Sequence, residues 1–271
     1  MRTRGLFALT LTLAAGVAQA DITPPPFLVT NSSRMYTFTG VQPPESYQTI
    51  GIADGPANFP AVGKDIDGHT LVHGIRGDGR GEFFRLRGNE SNYWLDSIAV
   101  TETFYNSFEI VGERMFAIKN LEGYHDAIVE LDPVSYAEIG TYGVFELGIG
   151  GMAYVPQLNE FIVSDTRTNT FFAIDFGDGS GAGALRTIGH AGMRWGANGL
   201  ECYDGVVFGS AIRGEDMKLV FGHVNLDTGV FEVETVIGDA VRGSVGFGFV
   251  PSPGTLALLG AGGVLAGRRR R

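Results

Sequence analysis

Gly151-Met-Ala-Tyr-Val-Pro156, Glu160-Phe-Ile-Val-Ser164, Thr170-Phe-Phe-Ala-Ile-Asp175 and Thr187-Ile-Gly189 are four short apolar phrases in close succession. Each is rich in β-branched and aromatic residues, and Gly, Asp, Asn or Pro turns separate them, which is the pattern of consecutive antiparallel strands. Four strands within roughly 40–50 residues is the period of one β-propeller blade.

The same phrases recur on both sides. The last has counterparts in Thr49-Ile-Gly51, Thr141-Tyr-Gly143 and Val236-Ile-Gly238, with glycine spacings of 92, 46 and 49 along the chain. The first interval holds two units, and its midpoint falls near Ser97, in Tyr93-Trp-Leu-Asp-Ser-Ile98. The first phrase returns as Gly199-Leu-Glu-Cys-Tyr-Asp204 and Gly246-Phe-Gly-Phe-Val-Pro251. The second returns as His69–His73, Arg114–Ile118 and Gly205–Gly209, and the third as Glu82–Leu86, Asp126–Asp132 and Val220–Asp227. Helical periodicity is absent between the two ends. A β-helix has a shorter period, and a sandwich shows no repeat.

The expected fold is therefore all-β, a single propeller of five four-stranded blades over residues 21–250, with six blades as the fallback count. Four full units run from Gly51 to Gly238. Gly246–Val250 remains at one end and Phe27–Thr49 at the other, containing Phe27–Thr30, Arg34–Thr39 and Tyr47–Ile50. A fifth blade built from both termini closes the ring and removes open sheet edges. The Gly-Met-Ala-Tyr-Val-Pro phrase followed by Glu-Phe-Ile-Val-Ser-Asp165 also resembles blades of extracellular lactonase-like, YVTN-type and NHL-type propellers. That resemblance is at the level of the repeat and implies fold.

The two ends carry an address. Arg2 and Arg4, the apolar run Leu6–Val17 and the small residues of Ala18-Gln19-Ala20 form a secretory signal with cleavage after Ala20. Asp21 stands where a lipoprotein would need cysteine. At the other end, Pro251-Ser252-Pro253 precedes the short apolar segment Thr255–Gly267 and the block Arg268, Arg269, Arg270, Arg271. Thirteen apolar-leaning residues with four glycines fall short of the roughly 20 needed to span a bilayer as a helix, and the arginines favour the cytoplasmic side. Residues 251–271 resemble the PEP-CTERM sorting signal, with Pro-Ser-Pro in place of Pro-Glu-Pro. The resemblance implies transient membrane insertion of the tail, exosortase and signal peptidase as processing partners, and a destination at the cell surface or in an extracellular matrix.

Composition agrees with an exported domain. The chain has 20 Lys+Arg against 30 Asp+Glu, and six of the arginines lie in ends that hold no acidic residue. Residues 21–250 thus carry 14 basic and 30 acidic groups, a net charge of −16. Such a surface repels nucleic acid, so no nucleic-acid partner is expected. Cys202 is the single cysteine, so burial rather than disulfides must hold the fold, and its strand-like surroundings predict an inert packed thiol. Glycine, at 41 of 271 residues, is about twice its usual ~7% and signals many tight turns.

Candidate chemistry is sparse. Aligning the innermost strands places Lys64, Glu109, Ala153, Glu201 and Gly248 at one level of the central channel. Two carboxylates there are weak candidates to hold calcium, with Asn198 as one further oxygen. In the lactonase-like proteins that the repeats resemble, such a cation polarises a carbonyl. A Glu–Lys–Glu cluster that satisfies itself is the simpler reading, with no cofactor. Asp65-Ile-Asp67-Gly68, Gly77–Glu82 and Gly177–Gly183 are incomplete as calcium loops and read as hairpin turns. The five histidines show no metal-ligand spacing; His69 and His73 would share one face of a strand, about 13 Å apart. No Gly-x-Ser-x-Gly elbow or phosphate-binding loop occurs. The sequence favours a non-catalytic binding or structural protein meeting an extracellular polymer or surface protein. The alternative is a cation-dependent hydrolase using Glu109, Glu201 and Asn198.

Overall fold

The structure, a computed structural model, describes residues 24–38, 48–49, 58–89, 92–123 and 125–250. Among them every regular element is a strand, and the twenty strands form five four-stranded antiparallel sheets. One sheet comprises β4 (Asn58–Lys64), β5 (Thr70–Ile75), β6 (Gly81–Asn89) and β7 (Asn92–Thr101). The next is β8 (Tyr105–Val111), β9 (Arg114–Asn120), β10 (Asp126–Leu131) and β11 (Glu138–Phe145). The third is β12 (Ile149–Val155), β13 (Glu160–Asp165), β14 (Thr170–Asp175) and β15 (Leu185–His190). The fourth is β16 (Trp195–Tyr203), β17 (Val206–Arg213), β18 (Lys218–Val224) and β19 (Phe231–Asp239). This is the expected five-bladed propeller.

The fifth blade has the order β20 (Val245–Phe249), β1 (Phe27–Asn31), β2 (Arg34–Phe38) and β3 (Gln48–Thr49). Its seam is an unbroken antiparallel register from Phe27↔Phe249 to Asn31↔Val245. Aromatic packing reinforces the closure: Phe27 stacks on Phe38 at 4.4 Å and on Phe221 of the preceding blade at 4.3 Å. Phe27, Phe208, Phe221, Phe247 and Phe249 are all buried in this one cluster, and each fully buried ring contributes about 2–3 kcal/mol of apolar burial.

The recurring Thr-x-Gly phrase proves to be a β-bulge in the outermost strand. Ile128 pairs with Gly143 while Val129 pairs with Thr141, so Tyr142 is the extra residue. Ile188 and Ile237 are the extra residues in the next two blades. A bulge turns its extra side chain; here Tyr142 is buried, and Ile188 and Ile237 pack against core clusters. In β7 the equivalent slip leaves Ile98 facing solvent and puts Ala99 in the glycine's place.

The first strands β4, β8, β12, β16 and β20 are innermost, each packed against the first strands of both neighbours. They approach closely: a Cβ on Gly199 would lie 2.5 Å from the Phe247 nitrogen of the next blade. The expected signal peptide with Ala18 and Ala20, and the expected sorting tail with Pro251, Ser252, Pro253 and Arg268–Arg271, lie outside the described residues.

Candidate functional site: the two ends of the channel

The innermost strands carry different side chains to the two ends of the channel. Towards their C-terminal ends, Lys64 closes β4, Glu109 sits in β8 and Glu201 in β16. Lys64 Nζ lies 3.7 Å from Glu201 Oε1. The other Glu201 oxygen accepts the Phe249 N–H at 2.5 Å, and Glu109 Oε1 accepts the Tyr154 N–H at 3.3 Å. Each glutamate thus bonds to the backbone of the following blade's inner strand.

The electrostatics follow from two carboxyl groups sharing one ammonium. Burial pushes Glu201 up to about 7, opposed by Lys64 and the Phe249 N–H. Burial, and then the Glu201 charge, hold Glu109 well above the usual carboxylate range. Like charges in a poorly solvated site cannot both ionise cheaply, which favours the protonated form of Glu109. The neighbouring Cys202 thiol is pushed up to about 12, first by burial, with both glutamates adding to it. A divalent ion shared by Glu109 and Glu201 would sit against the Lys64 ammonium, which lies 3.7 Å from Glu201. Two carboxyl groups beside an ammonium fall short of the about six to eight oxygen ligands that calcium takes.

Asn198 is not part of this cluster. It lies towards the start of β16, after a register shift between Trp195 and Asn198. Its Oδ1 accepts the Ser164 hydroxyl at 2.6 Å, while its Nδ2 is buried without a hydrogen-bond partner. There it lines a cavity of about 690 Å³ at the opposite mouth. All five inner strands or the residues just before them reach this cavity: Pro60, Asn106, Ile149 with Gly148 and Gly150, Trp195, and Ser244 with Val245. Similar register shifts near the starts of β4, β8, β12 and β16 place extra residues at this rim. Asn120, Leu121, Gly123, Asp126, Thr166, Arg167 and Gly196 complete the wall.

Asp126 begins β10 and its carboxylate accepts the Ile149 N–H at 2.5 Å. Burial raises its pKa to about 6, against the pull of that N–H and of Arg167. Arg167 donates to the backbone oxygen of Glu146 and to Asp165. Asp165 is held below the usual carboxylate range by Thr168 and by backbone N–H groups, although burial opposes this. Trp195 is buried, in T-shaped contact with both Phe171 and Phe231, and its Nε1 has no hydrogen-bond partner. The mouth residues Asn106, Gly150 and Asn198 fall three positions before Glu109, Ala153 and Glu201, so the repeat alignment already contained this second ring. Trp195, Asp126 and Arg167 carried no comparable signal.

The turn at Asp65 brings Asp67 and His69 together, with ligand atoms of all three within 4.8 Å. His69 precedes β5 rather than sharing a strand face with His73, and its Nδ1 reaches back to Asp65 at 3.1 Å. Asp65 is already committed to Arg85 at 2.6 Å and to the Asp67 and His69 N–H groups. This is the bonding of a closed hairpin turn. His73 is fully buried beside Phe83 and Tyr105, and desolvation lowers its pKa to about 3, so it stays neutral.

No family model and no curated protein matches the chain. Solved structures do. A TolB-type protein from Agrobacterium tumefaciens shares 13% identity with a TM-score of 0.50, over 81% of this chain and 82% of that one. A chain of a nidogen/laminin complex shares 7% identity with a TM-score of 0.50, over 82% and 97%. A gluconolactonase from Xanthomonas campestris overlays more loosely, at 10% identity and a TM-score of 0.47 over 81% and 78%. Identities this low establish the β-propeller and leave the chemistry to the site.

Proposed function

We propose that this chain is an exported cell-surface or matrix protein whose propeller binds a partner at the amide-lined mouth without catalysing a reaction. The observation that carries the binding reading is the 690 Å³ cavity of mixed polar and apolar lining on which all five blades converge. Its size falls within the ~300–1,000 Å³ of ordinary ligand pockets. Export and retention rest on the two termini: signal peptidase acts after Ala20, and exosortase reads the Pro251-Ser252-Pro253 tail with its four arginines. No nucleic-acid partner fits the net charge of −16 between residues 21 and 250.

The second reading is a cation-dependent, lactonase-like hydrolase. In its favour, Glu109 and Glu201 have raised pKa values in one small cluster, a common mark of functional carboxyl groups. Against it stand the Lys64 ammonium and the placement of Asn198 at the other mouth. Thermal unfolding of the chelator-treated full-length chain, with and without millimolar calcium, separates the two. A site filled at about 100 times its dissociation constant adds roughly 2.7 kcal/mol. The expected result is an unchanged midpoint and no hydrolysis of γ- or δ-lactones. A clear rise, with turnover, would put the hydrolase first.

A further inference from the structure

Resting on the reading of residues 251–271 as a tail that enters the membrane, we infer that the propeller face around Lys64 and Tyr203 is a lipid-contacting surface. While the tail is inserted, this face rests on the neutral headgroups of a bilayer and the cavity at the other mouth opens away from it. The fold fixes which turns share the face. Glu109 bonds to the Tyr154 N–H, and Glu201 to the Phe249 N–H and Lys64, so the C-terminal ends of all five inner strands meet there. Strand pairing brings four turns to the same end. Two follow inner strands, closed by Lys64↔Thr70 and Val155↔Glu160. Two lie further out, closed by Leu131↔Glu138 and Val224↔Phe231. Each carries an exposed large apolar side chain: Ile66, Leu158, Val134 and Val230, with Val134 81% exposed. Tyr203, also exposed, ends β16 on this face. Among the described residues, the turns at the cavity end expose only Leu121 and Met217 of comparable kind.

The chain leaves the propeller on this face. Val250 donates its N–H to the Pro26 oxygen at 2.8 Å, beside the Phe27↔Phe249 pair, and the Phe249 ring lies 5.5 Å from Tyr203. Only Pro251-Ser-Pro-Gly254 separates Val250 from the apolar stretch Thr255–Gly267. Four residues reach at most ~14 Å, whereas the seven residues of β4 span about 23 Å between the two ends of the channel. An inserted tail therefore holds the apolar turns near the headgroups and the cavity away from them. Two carboxylates in these turns are drawn inward: Asp65 is paired with Arg85 at 2.6 Å, and Asp132 accepts the Val134 and Ser135 N–H groups. Tyr203 has the apolar ring and polar tip that suit a membrane boundary. Single apolar side chains on separate turns can each enter a headgroup layer, whereas a rigid protein partner would have to match them pocket by pocket. The remaining charge selects the lipid. Asp67, Glu113, Asp178, Asp204 and Asp227 are exposed around the face, so anionic headgroups are repelled and zwitterionic ones are accepted.

Flotation and site-directed fluorescence on the full-length chain would test this, after reconstitution from detergent into vesicles of phosphatidylcholine and phosphatidylethanolamine. A small fluorophore is attached through Ile66→Cys, Val134→Cys or Leu158→Cys on the lipid face, and through Leu121→Cys or Met217→Cys at the cavity end. Cys202 is half-buried and its thiol is pushed up to about 12, so it reacts slowly at neutral pH, and the unsubstituted chain supplies its background. Lipids with a nitroxide on the headgroup should quench the first three sites about threefold more strongly than the last two. Val134→Asp combined with Leu158→Asp should cut the quenching at Ile66→Cys by about half, with flotation unchanged. Replacing part of the phosphatidylcholine with phosphatidylglycerol should not strengthen it. Equal quenching at the two ends, quenching at neither, or full quenching in the double Asp variant overturns the inference, and continued flotation then leaves tail insertion standing. Stronger quenching with phosphatidylglycerol overturns the neutral-lipid assignment. A chain that fails to float overturns the insertion reading and this inference with it.

Discussion

Glu201→Gln tests the electrostatic account of the channel most directly. Glu201 is 9% exposed and its folded pKa lies at about 7, against an ordinary value of 4.5. Folding therefore strengthens its hold on a proton, and the native state binds more protons than the unfolded chain between those two values. Stability from this group is fully present below pH ~4.5 and is lost as pH rises through ~7. Two and a half units at 1.36 kcal/mol each give a loss on the order of 3 kcal/mol. Glutamine resembles the protonated acid, can still accept the Phe249 N–H, and has no proton to lose. It also removes the charge that raises Glu109, which frees Glu109 to pair with Lys64. Both effects act in the same direction.

The stability of variant minus wild type should therefore rise by about 3 kcal/mol between pH 4.5 and pH 8.5. With a urea slope of about 3 kcal/mol/M for a domain of this size, the gap between midpoints should open by roughly 1 M. Taking the difference cancels Asp126, whose raised pKa also favours low pH, and the surface carboxylates that favour high pH. Parallel curves would refute the reasoning. A wild type that gains on the variant as pH rises would mean that the Lys64 ion pair outweighs burial.

Two further outcomes follow from the fold and the termini. Gly199→Ala should destabilise the propeller by at least ~2 kcal/mol in denaturant unfolding, because its Cβ would meet the Phe247 nitrogen and the Gly246 backbone of the closing blade; a loss under ~0.5 kcal/mol would contradict the close approach of β16 and β20. Replacing Arg268–Arg271 with serines should release the protein from the surface fraction into the medium, and unchanged retention in cell fractionation would count against exosortase sorting.

Much of the architecture was legible in the chain because a propeller repeats a local unit. Each blade's strands are neighbours in sequence, so the phrase spacing around Gly151–Gly189 fixed strand number, blade number and the closing role of Phe27–Thr49. The level shared by Lys64, Glu109 and Glu201 was legible for the same reason: equivalent positions in equivalent strands meet at one height of the channel.

What remained hidden depends on distances between blades and on burial. The Thr-x-Gly phrase was visible as a repeat, but its nature as a bulge that turns Tyr142, Ile188 and Ile237 inward emerges from strand pairing. Asn198 lies three residues from Glu201, close enough in sequence to be grouped with it. Yet a strand advances about 3.3 Å per residue and alternates its faces, so three residues carried it to the other mouth. Trp195 and Asp126 became site residues through the register shift of β16 and the bond from Asp126 to the next blade. The sequence by itself determined the ring, its closure and the acidic character of the molecule. Tertiary structure alone decided which charges neutralise one another and which side chains line the cavity, because both depend on how five separate strands meet around one axis.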